Sequence, residues 1–279
     1  MLSVFMYLPV GFVLFFTFIF GVIIGSFLNV YIYRLHTGKS LMGGSHCLSC
    51  GTPLRFYELF PLFSYLFLGG RCRTCQSIIP SRYFLVESLT GLLFMLAVFF
   101  ATNTVDLILF WILVAVLVVI AVYDLYHMII PDELVITLLA LAMLREFYHL
   151  STGSLLVSDF AFNIFFAFCG SLFLFMLWRM SGGKWIGFGD VKLVLPLGIF
   201  VGYAGVFSMM VLSFWIGAVI GLALLTFQHL QKRGQPHLRF LARELTIKSA
   251  VPFAPFLISG FLVAFFLEVD VVSLLTYVP

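Results

Sequence analysis

Long apolar stretches recur along almost the whole chain and leave it one compatible environment. Eight of them, residues 12–31, 83–101, 107–123, 134–148, 160–180, 191–203, 206–228 and 251–267, approach the ~20 residues that a helix needs to cross hydrocarbon. With 63% hydrophobic and 10% charged residues in 279, there is too little polar surface for a water-soluble domain. The ten-residue alternation of a membrane barrel is absent, so the expected class is all-α, a polytopic bundle of about eight transmembrane helices. The fourth and sixth stretches are short, which predicts that one of them is half-buried or broken. The first is not a cleavable signal, because no basic residue precedes it and no small-residue cleavage site follows.

Basic residues fix the expected orientation. Arg34, Lys39, Arg55, Arg71, Arg73 and Arg82 share the first loop, and Arg179, Lys184 and Lys192 flank the loop after the fifth stretch. Lys232, Arg233, Arg239, Arg243 and Lys248 follow the seventh, and only Arg145 falls elsewhere. The positive-inside rule then puts every large basic loop in the cytoplasm and both termini outside. The net charge of +3 thereby reads as a membrane topology signal in a chain whose surroundings are membrane lipid, and nucleic-acid binding is not needed to explain it. Nothing in the sequence signals an oligomeric state.

Residues 34–82 form the one sizeable insertion. They carry Cys47 and Cys50, then Cys72 and Cys75, two C-x-x-C pairs matching the tetrahedral ligand set of a structural zinc. A reducing compartment disfavours disulfides, although a redox pair or unligated thiols use the same residues. His36 and His46 are alternative ligands that four cysteines make unnecessary, and Cys169, inside the fifth stretch, reads as a packing residue.

Two aspartates stand at membrane-border ends of apolar stretches. Asp124 follows residues 107–123, and Asp190 precedes residues 191–203 in the run Gly187-Phe188-Gly189-Asp190. The expected topology puts both on one face, and carboxylates beside hydrocarbon usually have a chemical task. Gly187 and Gly189 allow close backbone approach, while the structural alternative is an Asp190 that caps its helix. Pro131 and Asp132 read as a helix start, so Asp124 is the preferred chemical residue and Asp132 a cap. His127 reads as an exposed interfacial side chain. Asn29, one turn after Gly25, and Glu87, early in the second stretch, are expected to support the site.

The chain resembles the type IV prepilin leader peptidases, bacterial membrane aspartyl proteases with a G-x-G-D motif. Gly187 to Asp190 with Val191-Lys192-Leu193 matches the second active-site motif, and Asp124 through Ile130-Pro131-Asp132 the first. Gly25-Ser26-Phe27-Leu28-Asn29-Val30 with Arg34-Leu35, the paired cysteines, and Arg82-Tyr83 with Val86-Glu87 also fit. The resemblance implies a single integral membrane peptidase domain over residues 1–279, with residues 34–82 as an inserted cytoplasmic zinc-binding loop. It implies prepilins or pseudopilins as substrates, Asp124 and Asp190 as catalytic, and methylation of the new amino terminus with S-adenosylmethionine. Two departures stand out: His36 follows Arg34-Leu35 where proline is common nearby, and Ala254 replaces an expected glycine. Neither is expected to touch the aspartates. A proton-coupled transporter and a non-catalytic scaffold are the competing classes, but no repeat of broken helices supports the first.

Overall fold

The computed structural model describes residues 9–38, 40, 43–234, 251–271 and 273. Lys39, Arg239, Arg243 and Lys248 of the basic loops lie outside the described residues. Among the described residues the regular structure is helical: α1 (Val10–Arg34), α2 (Phe63–Phe67), α3 (Arg82–Phe100), α4 (Thr104–His127), α5 (Asp132–Ser151), α6 (Val157–Ser181), α7 (Phe188–Val201), α8 (Val206–Gly234) and α9 (Ala254–Phe266). Six of these, α1, α3, α4, α5, α6 and α8, are long and apolar enough to cross a membrane, making this a multi-pass membrane protein. Phenylalanines at 12, 15, 16, 162, 165, 168 and 173 point outward, a surface that only lipid tolerates.

The remaining two expected spans are shorter helices. The stretch 191–203 becomes α7, whose 14 residues reach only ~21 Å against ~30 Å of hydrocarbon. The stretch 251–267 becomes the 13-residue α9. Of the two stretches that looked short, the fourth is completed to 20 residues by Asp132, Glu133 and the turn ending at Ser151. The sixth stays short. Nine of the fourteen residues of α7 are buried, including Val191, Leu193, Val194, Leu197 and Phe200. A helix that is apolar all round and buried belongs to a core.

The chain divides into two compact units, Met1–Val119 and Ile120–Pro279, with the division inside α4. In the first unit α1 packs along α3 through small residues. A Cβ at Gly21 would stand 2.8 Å from Gly91 Cα, and one at Gly25 would stand 2.8 Å from Glu87 Cα. These two glycines, one turn apart, let the backbones meet as small-residue interfaces do in membranes. Asn29 continues the same face, donating from Nδ2 to the Tyr83 carbonyl at 3.2 Å.

In the second unit α7 packs against α5, α6, α8 and α9. Ala167 meets Gly198, where a Cβ would come within 2.8 Å of the alanine methyl, and Ser171 donates to the Val191 carbonyl at 2.8 Å. At the far end of α7, buried Asn163 donates to Glu146 at 2.9 Å and accepts the Tyr203 N–H at 2.8 Å, so each polar group has a partner.

Gly25→Val is expected to overpack the α1–α3 contact and cost about 1–3 kcal/mol. Thermal unfolding in detergent should show a lowered midpoint, whereas Gly11→Val, where a Cβ meets nothing, should not change it.

Candidate functional site

α4 ends in the second unit with Asp124 5% exposed, and α7 begins there with Asp190 equally buried. Beyond Asp124 the chain leaves α4 through Met128, whose N–H donates to the Asp124 carbonyl and whose φ is +54°. That reversal brings buried Ile130 back under the start of α7 and sets Pro131 as the N-cap of α5. Gly189 makes the approach possible, since a Cβ there would stand 3.0 Å from Ile130 Cβ and 3.2 Å from its Cγ1 and Cδ1. A Cβ at Gly187 would stand 3.1 Å from Asp190 Oδ2. Both glycines are therefore set by steric crowding around the aspartate.

Asp190 serves its helix and leaves half of its carboxylate over. Oδ2 accepts the Gly187 N–H at 3.2 Å, the back-reaching half of a capping box. Oδ1 is buried and has no hydrogen-bond partner among the described residues, an arrangement that a purely structural cap does not need. The Asp124 charge acts directly on Asp190, so the two carboxylates share one electrostatic environment. Asp124 Oδ2 accepts the Ala254 N–H at 3.3 Å, from the first turn of α9. This corrects the expectation that the alanine departure leaves the aspartates untouched: Ala254 is fully buried and its amide is bonded to one of them. The sequence could not reveal it because 130 residues separate donor and acceptor.

Asp132 opens α5 as expected, but its carboxylate also pairs with Lys192 of α7. With Asp132 67% exposed, the pair contributes ~0–1 kcal/mol, and its effect is to join the first turns of α5 and α7. Lys192 also lies over the Phe188 ring, 5.3 Å from its centroid. His127 is exposed, and its ring lies tilted by 33° against Tyr123 with centroids 4.3 Å apart.

The other named residues gather in the first unit. Asn29 and Glu87 are both more than nine-tenths buried. Glu87 Oε2 accepts the Leu62 N–H at 2.8 Å, holding a residue whose φ of +59° is uncommon for a bulky side chain. The four cysteines form two matching turns. Cys47 N–H donates to Thr52 O and Gly51 N–H to Cys47 O, while Cys72 N–H donates to Ser77 O and Gln76 N–H to Cys72 O, each at 2.9 Å. Gly51 and Gln76 occupy equivalent positions with φ of +72° and +57°. Thr52 and Ser77 also repeat, with hydroxyls 3.2 Å and 3.1 Å from Cys50 and Cys75 Sγ.

The four sulfurs lie within 4.8 Å of one another, and Cys47 and Cys75 Sγ are 3.8 Å apart. A tetrahedral ion with ~2.3 Å bonds to sulfur separates its ligands by ~3.8 Å, so this cluster can hold a metal ion. The Cys50 and Ser49 N–H groups hold the Cys47 thiol down to about 6, which favours the thiolate a metal requires. His46 is outside the cluster, with Nδ1 3.5 Å from the Gly44 carbonyl.

A buried carboxylate pair on a helical membrane scaffold defines a class of integral membrane protein suited to acid/base chemistry. Residues 19–101 match the bacterial peptidase A24 N-terminal domain, and residues 111–222 match the type IV leader peptidase family. A protein of Aeromonas salmonicida strain A449 is 32% identical over 260 residues, covering 81% of this chain and 86% of the relative. One from Pseudomonas aeruginosa is 30% identical over 278 residues, covering 89% and 88%, and one from Burkholderia pseudomallei strain 1026b is 30% identical over 290 residues, covering 93% and 87%. All three carry the name prepilin leader peptidase/N-methyltransferase. The chain belongs to the type IV leader peptidase family. No solved structure matches it.

Gly189→Ala should displace Ile130 and with it the turn that positions Asp124, lowering proteolytic turnover by about tenfold or more. Ile130→Ala removes two of the three crowding atoms, so the double variant should recover part of the loss in the same cleavage assay.

Proposed function

We propose that this protein is a membrane aspartic endopeptidase that removes the leader of type IV prepilins or pseudopilins, and then methylates the exposed amino terminus. The observation that carries the peptidase reading is the second-unit carboxylate pair, with Asp190 Oδ1 buried and unpartnered beside Asp124. The pair shares one proton between two carboxyl groups. The ionised member takes a proton from water as its oxygen attacks the scissile carbonyl, and the protonated member donates to the carbonyl oxygen. When the tetrahedral species collapses, the departing nitrogen receives a proton and the dyad returns to its starting state. No metal takes part in that hydrolysis. Gly187 and Gly189 act as site support, keeping the α7 start close to Asp190 and Ile130.

The distribution of Lys and Arg supports placing the basic loops, and with them this chemistry, at the cytoplasmic face of the bacterial inner membrane. A prepilin presents a short basic leader ahead of an apolar helix, which fits cleavage at that border. The names of the relatives support the second activity, for which S-adenosylmethionine supplies the methyl group. Zinc fits the cysteine cluster by sulfur spacing and ligand type, and four protein ligands leave it a structural role within residues 34–82.

Membranes carrying wild type, Asp124→Asn or Asp190→Asn should be given a prepilin and the product amino terminus read by mass spectrometry. Each substitution is expected to lower cleavage by about 10³-fold at normal protein level. Cleavage that persists in both would refute the dyad and reopen the transporter and scaffold classes.

Purified wild-type protein should carry about one zinc per chain by elemental analysis, and Cys72→Ser should lose most of it. Lowering the pH should release zinc as protons compete with the metal for the four thiolates.

A further inference from the structure

The short helix α2 is built inside out for a helix in water. Ser64 and Tyr65, with Leu68 just beyond, are half-buried and line a cavity of about 230 Å³ between the adjoining ends of α1 and α3 and the cysteine loop. Phe63, Leu66 and Phe67 turn outward instead, with Phe67 86% exposed. A helix that meets water carries its polar residues outward, so this arrangement is reversed. The chain just before α2 adds two more outward rings, Phe56, 78% exposed, and Phe60, which pack on each other with centroids 5.2 Å apart. None of these five side chains lines the cavity. So dense an apolar surface marks contact with a membrane or a partner.

What these side chains face follows from where α2 is held. The 19 residues of α3 rise ~28 Å, close to the ~30 Å of hydrocarbon, so the helix needs its whole length to cross and its first turns already stand at the border. α2 lies beside those turns and not beyond them. The N–H of Leu62, its N-cap, donates to Glu87, the sixth residue of α3, and the Tyr65 ring lies 5.5 Å from that of Phe84, the third. At that depth α3 turns its own Leu85 and Leu89 outward. Arg55 and Arg71 are exposed on either side of the apolar segment, and Arg34 and Arg82 mark the adjoining ends of α1 and α3, where long basic side chains reach headgroups. We propose that residues 56–67 dock into the bilayer surface, with Phe56, Phe60, Phe63, Leu66 and Phe67 entering the boundary between headgroups and hydrocarbon in the leaflet that holds the Arg34 and Arg82 ends. The insertion is then fastened to the membrane at three points, α1, α2 and α3. Its cysteine turns are carried against the membrane surface instead of projecting into solvent. The proposal stands independently of the peptidase and methylation readings.

Hydroxyl-radical footprinting of the unmodified full-length protein tests this directly, in nanodiscs of phosphatidylcholine and phosphatidylglycerol that hold one copy each. Phe63 and Phe67 are expected to oxidise about fivefold or more slowly than in the urea-unfolded chain, and no faster than Phe16, which turns outward on α1. With a single copy per disc, lipid is the cover available to them. Oxidation at the unfolded rate would mean that they face water and would overturn the proposal. The occupant in native bacterial membranes is read by placing p-benzoylphenylalanine at position 67, with zinc content and elution volume as checks on folding. Irradiation should give lipid adducts at that residue by mass spectrometry. Adducts to a second copy of this chain, or to another protein, would replace the bilayer by that partner and overturn the docking. If the substituted chain fails to fold, the footprint of the unmodified protein still decides.

Discussion

Burial of Asp190 at the start of the short helix α7 is the constraint on which the second unit depends. A carboxylate in that position must be surrounded by protein, and α7 meets this by burying most of its length. α5, α6, α8 and α9 pack against it. The geometry at its first turn follows. Gly189 admits Ile130, the Gly187 N–H donates to Asp190 Oδ2, and Asp190 Oδ1 is buried without a hydrogen-bond partner among the described residues while Asp124 acts on the carboxylate. At its last turn the Glu146–Asn163–Tyr203 network fixes the other end. A helix gripped at both ends cannot slide or turn without breaking buried hydrogen bonds, which keeps Asp190 in register.

The first unit solves a different problem, joining a polar insertion to two membrane helices. Close glycine packing brings α1 and α3 together, with Phe94 against Gly21 and the Phe18 ring against Gly91. Asn29 and Glu87 occupy the place where that packed face meets the loop. Glu87 reaches across to the Leu62 amide and holds a backbone conformation that the sequence Pro61-Leu62 would not adopt unaided. The polar residues of this region thus shape both the loop and the cavity beneath it.

Much of this was legible in the chain. Apolar run lengths identified the membrane helices, paired cysteines predicted the four-sulfur cluster, and Pro131-Asp132 marked the start of α5. Hydropathy alone cannot distinguish a helix shielded by lipid from one shielded by other helices, so residues 191–203 and 251–267 read from sequence like the longer stretches although they form the shorter helices α7 and α9. The Ala254 N–H on Asp124 was hidden for a related reason. A backbone donor has no side-chain signature, and only the tertiary fold selects which amide will face a distant carboxylate. The Lys192–Asp132 pair was also out of reach, because charge pairing is readable along one helix but not between two.

The duplicated cysteine turns have a consequence for the chain as a polymer. Each turn closes its own backbone hydrogen bonds, so each can form locally without the other. What joins them is whatever the four sulfurs hold, and an ion there ties two points of the chain together as a cross-link would. Such a tie restricts the unfolded ensemble of the intervening segment, yet it is undone by chelation and not by reductant. A loop fastened in this way keeps its shape in a thiol-rich compartment where a disulfide of the same span would open.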